Sequence, residues 1–511
     1  MFRNTLAGRM MTAAALAAIP LAFPATGLAA QDLPDVQKKV SVHTLDNGWT
    51  FIIYERHTAP VFSFSTYVDV GAAQEVPGIT GLAHMFEHMA FKGTRNIGTT
   101  NHKAEQEALD RVDEAYHAYD AARRKPGADP AQVEALEKAW KQAQEDADKY
   151  VLTEFDELVE RHGGVGLNAG TSADHTVYFY SLPSNKTELW AFLESERFSE
   201  PVFREFYKER DVVKEERRMR TESQPIGRLI EQFQAAAYIA HPYGQPTVGH
   251  MSDLQSFTRE DAVEFYRAHY PPSNIVICLA GDVYPDEVRK LADKYFADWR
   301  SDVPKPEPVR TIEPKQLGER RVVIEDPGQP FYVLGFHKPA ATHPDARAYD
   351  VLTSLLANGR SSRLHERLVK EEKKAIAVGA ITQLPGELYP GLFLVFVVPA
   401  KDVTALDCEA SVFDELGQMK QHLVAAEELD GVKTRMRADW VRSMTSNNGM
   451  AGTLLQGELI LGSWQRALNY GDELDAVTAE DLMRISQEMF IPSNRTVGYI
   501  VTEQEGEQNA R

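Results

Sequence analysis

The chain has 511 residues, 43% hydrophobic and 25% charged, with 33 Gly and 27 Pro; this excludes a disordered, collagen-like or low-complexity protein. Acids outnumber Lys and Arg 75 to 55, a net charge of −20, which excludes a general nucleic-acid-binding surface. Two cysteines, Cys278 and Cys408, are too few for a disulfide scaffold or a cysteine-ligated metal site, and Cys278 in the apolar run Ile275–Leu279 reads as a buried, inert thiol.

The N-terminus reads as a secretory signal over residues 1–30. Arg3 and Arg9 precede an uncharged stretch from Met10 to Pro24, and small residues follow at Gly27, Ala29 and Ala30. Pro20, Pro24 and Gly27 cut that stretch too short for a membrane anchor, and it lacks the Arg-rich amphipathic pattern of a mitochondrial presequence. No later uncharged apolar run reaches the roughly 18 residues of a membrane span; Gly391–Ala400 is among the longest. The expected product is an exported protein of a bacterial periplasm, with no membrane span in its mature form.

Strand-like runs follow at Val40–Leu45, Trp49–Tyr54 and Val61–Val70, then a helical segment containing Leu82–Ala90. Between residues 101 and 160 apolar positions recur every three or four residues, at Leu109, Val112, Tyr116 and Tyr119 and again at Val133, Leu136, Trp140, Ala143, Ala147 and Tyr150. Pro126–Pro130 separates the two series, and Asp129 can cap a helix that has Pro130 at its first position. This predicts a helical hairpin that folds on itself and projects from the first domain, as a solvated antiparallel hairpin or, alternatively, a partner-docking arm. Residues 301–317, with Pro304, Pro306, Pro308 and Pro314, read as an extended linker between a first domain over 38–300 and a second over 318–511.

The second domain opens with strand-like Arg321–Ile324 and Phe331–Phe336 and continues with helical Ala346–Leu356 and Ser362–Lys370. Both halves end on a strand after a Pro-Ser-Asn turn, Pro272-Ser273-Asn274 and Pro492-Ser493-Asn494. Strands followed by helices, used twice, predict two similar α+β domains related by duplication.

The chemistry concentrates at Gly81–His88. His84 and His88 are four residues apart, so on a helix both imidazoles leave the same face one turn apart and suit one Zn²⁺. Glu87 lies on the same side, placed to take a proton from a water activated by the metal. The order His-x-x-Glu-His is the inverzincin signature. Further along, Glu209 and Glu216 are seven apart, two helical turns on one face; one can ligate the metal while the other hydrogen-bonds a histidine's free N–H. Two His, one Glu and an open position make a catalytic zinc site. Arg210, Lys214, Arg217 and Arg218 around them read as a solvated charged face.

With these residues the chain resembles the pitrilysin/insulinase family of zinc peptidases, in particular its two-domain branch that includes the catalytic subunit of mitochondrial processing peptidase and its bacterial relatives. Gly81–Thr94 resembles the family's active-site helix and Asn168–Tyr178 its substrate-pairing strand. Glu209–Glu216 resembles the helix bearing the third ligand, and His241–Gly244 and Tyr270–Asn274 also fit the family pattern. The resemblance implies one Zn²⁺ per chain on His84, His88 and Glu216, with Glu87 as general base and Glu209 behind a histidine. It also implies substrate laid along Asn168, Ala169 and Gly170, and a pair of α+β domains, each an antiparallel-rich sheet with helices on one side. Glu215, the rival for the ligand role, lies about 100° round the helix from Glu216.

Three departures stand out. His88 and Glu216 are 128 positions apart, more than the family's usual gap, and the hairpin accounts for the excess. The glycine-rich loop of the noncatalytic processing subunit is absent, with Ala357–Leu364 in its place. Where the family's second domain carries an Arg and a Tyr that hold the scissile carbonyl, this chain has Val369 and Val378, which have no donor. The implied function is a secreted zinc endopeptidase for peptides or unfolded polypeptides. The implied assembly is a clamshell heterodimer with a homologous chain that supplies Arg and Tyr without binding zinc; a homodimer is the alternative. A noncatalytic binding or assembly subunit of the same fold and a zinc hydrolase with a non-peptide substrate are the functional rivals.

Overall fold

The computed structural model describes residues 33–152, 155–299 and 301–501; the proposed signal segment, residues 1–30, lies outside them. Two mixed sheets with flanking helices form two α+β domains. The first sheet contains β1 (Val40–Thr44), β2 (Thr50–Glu55), β3 (Val61–Val68), β4 (Val165–Thr171), β5 (Thr176–Pro183) and β6 (Ile275–Gly281), in the order β1-β2-β6-β3-β5-β4. The second contains β7 (Arg320–Glu325), β8 (Phe331–Lys338), β9 (Ala375–Leu384), β10 (Gly391–Pro399) and β11 (Arg495–Val501), in the order β7-β11-β8-β10-β9. Without β1 the two orders coincide, down to one parallel pair in each, β2 with β6 and β7 with β11, among antiparallel neighbours. Each closing strand follows a 3₁₀ turn built from Pro-Ser-Asn, whose asparagine amide, Asn274 or Asn494, caps carbonyls of the preceding helix and a neighbouring strand end.

The central strands are buried on both faces, because each domain lends a helix to the other's sheet. Leu229, Phe233 and Ala237 of the helix Pro225–Ala237 pack on Phe331, Val333, Leu392, Leu394 and Ile500 of the second sheet. In return Met450, Ala451, Leu454 and Leu455 of the helix Asn447–Ile460 pack on Ile52, Tyr54, Cys278 and Ala280 of the first. The close approach needs glycine: a Cβ at Gly335 would lie 2.7 Å from the Phe233 ring. Residues 301–317 run without helix or strand, as their prolines dictate, but they are tied down. The Glu313 carboxylate accepts from the backbone N–H groups of Ile239, Ala240 and His241, and the Val309 N–H donates to the Tyr389 hydroxyl at 2.8 Å. Cys278 and Cys408 are separate buried thiols, and no described helix is long and apolar enough to cross a membrane.

The hairpin differs from its expectation. Its helices run His102–Arg124 and Pro130–Asp148, with Asp129 accepting from the Ala131 N–H at 3.0 Å as the cap; Phe155–Arg161 is a separate helix. It is not an arm that folds only on itself. Ala108, Leu109, Val112, Tyr116, Trp140 and Ala147 join the first domain's core. Tyr116 and Trp140 pack their rings on Tyr207, centroids 4.4 and 5.4 Å apart. Fully buried Glu105 pairs with buried Arg204 at 2.6 Å, and Asp113 pairs with Arg259. A three-four apolar period looks the same whether its partner is the other arm or a third helix; here it is both.

The exchanged helices should couple the unfolding of the two domains into one event. Phe233→Ala and Leu454→Ala should each destabilise the chain by about 3–5 and 2–5 kcal/mol respectively. Denaturant melts followed by far-ultraviolet circular dichroism should show a single transition that shifts as a whole. Two transitions, with only one moved by either variant, would contradict this.

Candidate metal centre

The helix Leu82–Met89 starts at Gly81, whose left-handed backbone (φ 97°) offers no side-chain cap. The cap comes from Glu75, a buried carboxylate that accepts from the N–H groups of Gly81 and Ala83 at 2.7 Å each. Burial pushes the Glu75 carboxyl up to about 8, against the pull of those two donors. Asp253 holds the turn before it, accepting from the Gly78 and Thr80 N–H groups and the Thr80 hydroxyl.

On this helix His84 and His88 project side by side, ring centroids 4.9 Å apart and nearly perpendicular. They face Glu216 on the helix Phe206–Arg217. His84 Nε2 lies 3.7 Å from Glu216 Oε1 and His88 Nε2 lies 3.5 Å from Glu216 Oε2. Donors about 2.0–2.1 Å from one tetrahedral zinc stand about 3.3 Å from each other, so the three groups fit that ion. They are the one cluster of three potential ligands among the described residues. His88 Nδ1 is 2.9 Å from Glu209 Oε1, and Glu209 is held from behind by Lys92 at 2.7 Å, which orients the ring with Nε2 toward the metal position. His84 Nδ1 is buried without a hydrogen-bond partner. Glu215 points elsewhere, exposed and paired with Arg218 at 3.0 Å.

Burial opposes charge throughout, and the neighbours decide the outcome. Burial drives His84 down to about 3, helped by His88 beside it. Burial also acts on His88, but the Glu209 and Glu216 carboxylates overcome it and raise this imidazole to about 9. Despite burial, His88 and Lys92 hold Glu209 down to about 2, and His88, His84 and Arg220 do the same to Glu216. Glu87 is held above the usual carboxylate range by burial, with Thr171 and His88 pulling the other way. A raised carboxylate suits a group that accepts and then returns a proton.

Some partners were invisible in the sequence. The Thr171 hydroxyl at the end of β4 donates to Glu87 Oε2 at 2.6 Å and fixes that carboxylate against the sheet edge. Thr171 lies inside the stretch that resembles the substrate-pairing strand, yet nothing local marks it as a partner of residue 87. Among the described residues β4 pairs only with β5 and its outer edge carries no strand, with Asn168 exposed and Ala169 and Gly170 half-buried along it. Arg220, four residues past Glu216, forms an ion pair with Glu216 Oε1. The solvated face expected around the ligand helix is corrected at two positions: Arg210 is buried against the Tyr116 hydroxyl and the Phe257 carbonyl, and Arg217 against Glu231 and the Gly249 carbonyl. Val369 and Val378 both pack against the second domain's core.

Two outcomes follow. Glu216→Gln should lose stoichiometric zinc while Glu215→Gln keeps it, measured by plasma mass spectrometry after dialysis; zinc retained in the first and lost in the second would contradict the assignment. Metal must also displace the proton that His88 carries below about pH 9, because only neutral imidazole ligates. Calorimetric zinc titrations at pH 7 in buffers of different ionisation enthalpy should therefore show release of about one proton per zinc. The release should fade as pH rises through about 9. No release at pH 7 would contradict the charge state.

Comparison with known proteins agrees with this geometry. Residues 51–121 and 143–250 match the family described as Insulinase (Peptidase family M16), and residues 256–436 match Peptidase M16 inactive domain. The first match skips 122–142, the outer end of the hairpin. The chain is 29% identical to the zinc protease PqqE of Helicobacter pylori over 466 residues, 89% of this chain and 91% of that one. It superposes on the crystal structure of a protease from Helicobacter pylori with a TM-score of 0.76 at 28% identity, covering 91% of this chain and 99% of the other. The first half of the periplasmic protease PqqL from Escherichia coli shares the fold, with a TM-score of 0.67 at 19% identity and coverage of 92% and 93%. With both of its halves matched and a ligand cluster on inverse His-x-x-Glu-His spacing, the chain belongs to the insulinase-like M16 family of zinc proteases.

Proposed function

We propose that this protein is an exported zinc endopeptidase that cleaves peptides or unfolded polypeptides in a bacterial periplasm. The observation that carries the reading is the convergence of His84, His88 and Glu216 beside Glu87, itself hydrogen-bonded to Thr171 on an open strand edge. The export reading rests on the signal-like residues 1–30 and on the likeness to a protease described as periplasmic. On this reading residues 38–300 carry the site, 301–317 link, and 318–511 form the second domain.

Zn²⁺ bound by His84, His88 and Glu216 supplies Lewis-acid polarisation of a carbonyl and lowers the pKa of water. The protein's residues do the rest. Substrate lies extended beside Asn168, Ala169 and Gly170, where backbone pairing tolerates many sequences. Glu87 accepts the proton of the attacking water and returns it to the leaving amine. Thr171 holds that carboxylate at the strand edge, so base and scissile bond share one frame. Glu209 fixes the orientation of His88. The intact Glu87 argues against a purely noncatalytic subunit, which needs no base.

Val369 and Val378 offer no hydrogen bond to a developing oxyanion, and this favours a second chain. We read the working form as a heterodimer with a homologous, zinc-free partner whose second domain supplies Arg and Tyr; a homodimer is the alternative.

Glu87→Gln should keep its zinc yet lose hydrolysis of a quenched fluorogenic peptide by at least ~10²-fold, with and without the partner. Addition of the partner to the unmodified chain should raise turnover. Activity retained by the Glu87 variant would overturn the general-base role, and full activity of the lone chain, unchanged by the partner, would overturn the heterodimer.

A further inference from the structure

Hydrolysis of an amide puts negative charge on the carbonyl oxygen, and a site that accelerates it aims preorganised donors at that atom. Around the ligand cluster most donors are already committed. Thr171 donates to Glu87, and Lys92 is held by Glu209 at 2.7 Å and Glu205 at 3.5 Å, on the far side of His88. Arg220 is different. Its one ion-pair partner among the described residues is Glu216 Oε1, the ligand oxygen nearest His84, so the guanidinium stands one hydrogen bond from the coordination sphere. A guanidinium has five N–H donors, and this side chain is 47% exposed, so donors not engaged by Glu216 remain accessible.

The backbone beneath it is built to hold still. Arg220 lies in a π-helical turn, Arg218–Glu222, that continues the ligand helix. The Ser223 N–H and hydroxyl both bond the Arg218 carbonyl, at 2.8 and 2.7 Å, and close that turn. Gly227 of the helix Pro225–Ala237 presses against it so closely that a Cβ there would lie 2.3 Å from the Arg220 carbonyl oxygen. Buried Arg217 anchors the preceding residue to Glu231 and the Gly249 carbonyl. The result is a fixed root with a half-exposed guanidinium, paired with Glu216, beside the metal position.

Resting on the peptidase reading above, we infer that Arg220 is a catalytic residue that donates to the scissile carbonyl oxygen as it becomes an oxyanion. The water oxygen bonds to the carbonyl carbon, the carbonyl π electrons move onto the oxygen that Arg220 meets, and Glu87 takes the water's proton. The C–N bond then breaks, the proton passes from Glu87 to the amine nitrogen, and the carboxylic acid so formed gives its remaining proton to the amine, leaving a carboxylate and an ammonium group. Arg220 keeps its proton throughout. The chain thus carries one oxyanion donor of its own even where Val369 and Val378 supply none.

The test compares the unmodified chain, Glu87→Gln, Arg220→Gln and Arg220→Lys for zinc content, kcat and KM on a fluorogenic peptide, and calorimetric affinity for a peptide phosphonate, a tetrahedral anion. Arg220→Gln should retain about one zinc, lose ~10²–10³ in kcat with KM nearly unchanged, and lose phosphonate affinity by a similar factor. Arg220→Lys should recover part of both. Loss of zinc in Arg220→Gln would overturn the inference by making Arg220 a clamp on Glu216. Unchanged kcat and phosphonate affinity would overturn it as well. An unmodified chain that hydrolyses no peptide, alone or with the partner, would sink the peptidase reading instead, and the phosphonate affinities would still decide on Arg220.

Discussion

The site depends on holding one helix, Phe206–Arg217, against another that begins 124 residues earlier in the chain, Leu82–Met89, so that Glu209 and Glu216 both meet His88. Three buried arginines do the holding. Arg204, just before the ligand helix, donates to the carbonyls of Lys92, Thr94 and Ile97, the segment that leaves the histidine helix. Arg217, at its end, donates to the carbonyl of Gly249, which lies against Thr80 and Gly81, where the histidine helix begins. Arg210, between them, reaches the Phe257 carbonyl and the hairpin's Tyr116. Arg204 and Arg217 are desolvated cations paired with Glu105 and Glu231, and removing one partner of such a buried pair costs about 3–5 kcal/mol. The spacing of the proposed metal ligands is thus set by charges that lie outside the candidate site.

This explains the hairpin's base. Glu105 neutralises Arg204, and Tyr116 caps Arg210, so the inner turns of the hairpin belong to the scaffold of the metal centre. The outer turns, absent from the family match at 122–142, lie beyond these contacts. The second domain shows the same scaffold without ligands. Its helix Ala346–Ala357 packs on β9 and β10 as the histidine helix packs on β4 and β5, and Thr382 of β9 donates to Asp350 at 3.1 Å as Thr171 of β4 donates to Glu87. Three before and one after Asp350 stand Arg347 and Val351, where the first domain has His84 and His88. Arg347 instead pairs with Asp350 at 2.7 Å, so an organic cation balances the carboxylate there.

What was legible in the sequence was local and periodic. The four-residue spacing of His84 and His88 and the seven-residue spacing of Glu209 and Glu216 each follow from 3.6 residues per turn. The twin Pro-Ser-Asn turns anticipated two sheets of matching strand order, and the prolines of 301–317 anticipated a stretch without helix or strand. What was not legible depends on pairs far apart in the chain: Thr171 with Glu87, Glu75 with the N-terminus of the histidine helix, and the helices exchanged between sheets. Arg210 and Arg217 read as solvated because a charged residue on a helix announces its partner only when the other element is known. Arg220 was missed for a subtler reason, since a π-helical turn follows the ligand helix and its sequence carries no local mark of that change.

The central claim is that one metal sits between two helices, beside an open strand that binds substrate. The most direct measurement is a crystal structure of the zinc-loaded Glu87→Gln chain with a bound peptide, with data collected on both sides of the zinc absorption edge. The account predicts a single anomalous peak within about 2.0–2.1 Å of His84 Nε2, His88 Nε2 and a Glu216 oxygen, and a peptide paired along Asn168, Ala169 and Gly170. A peak elsewhere, or a peptide that leaves the β4 edge open, would contradict it.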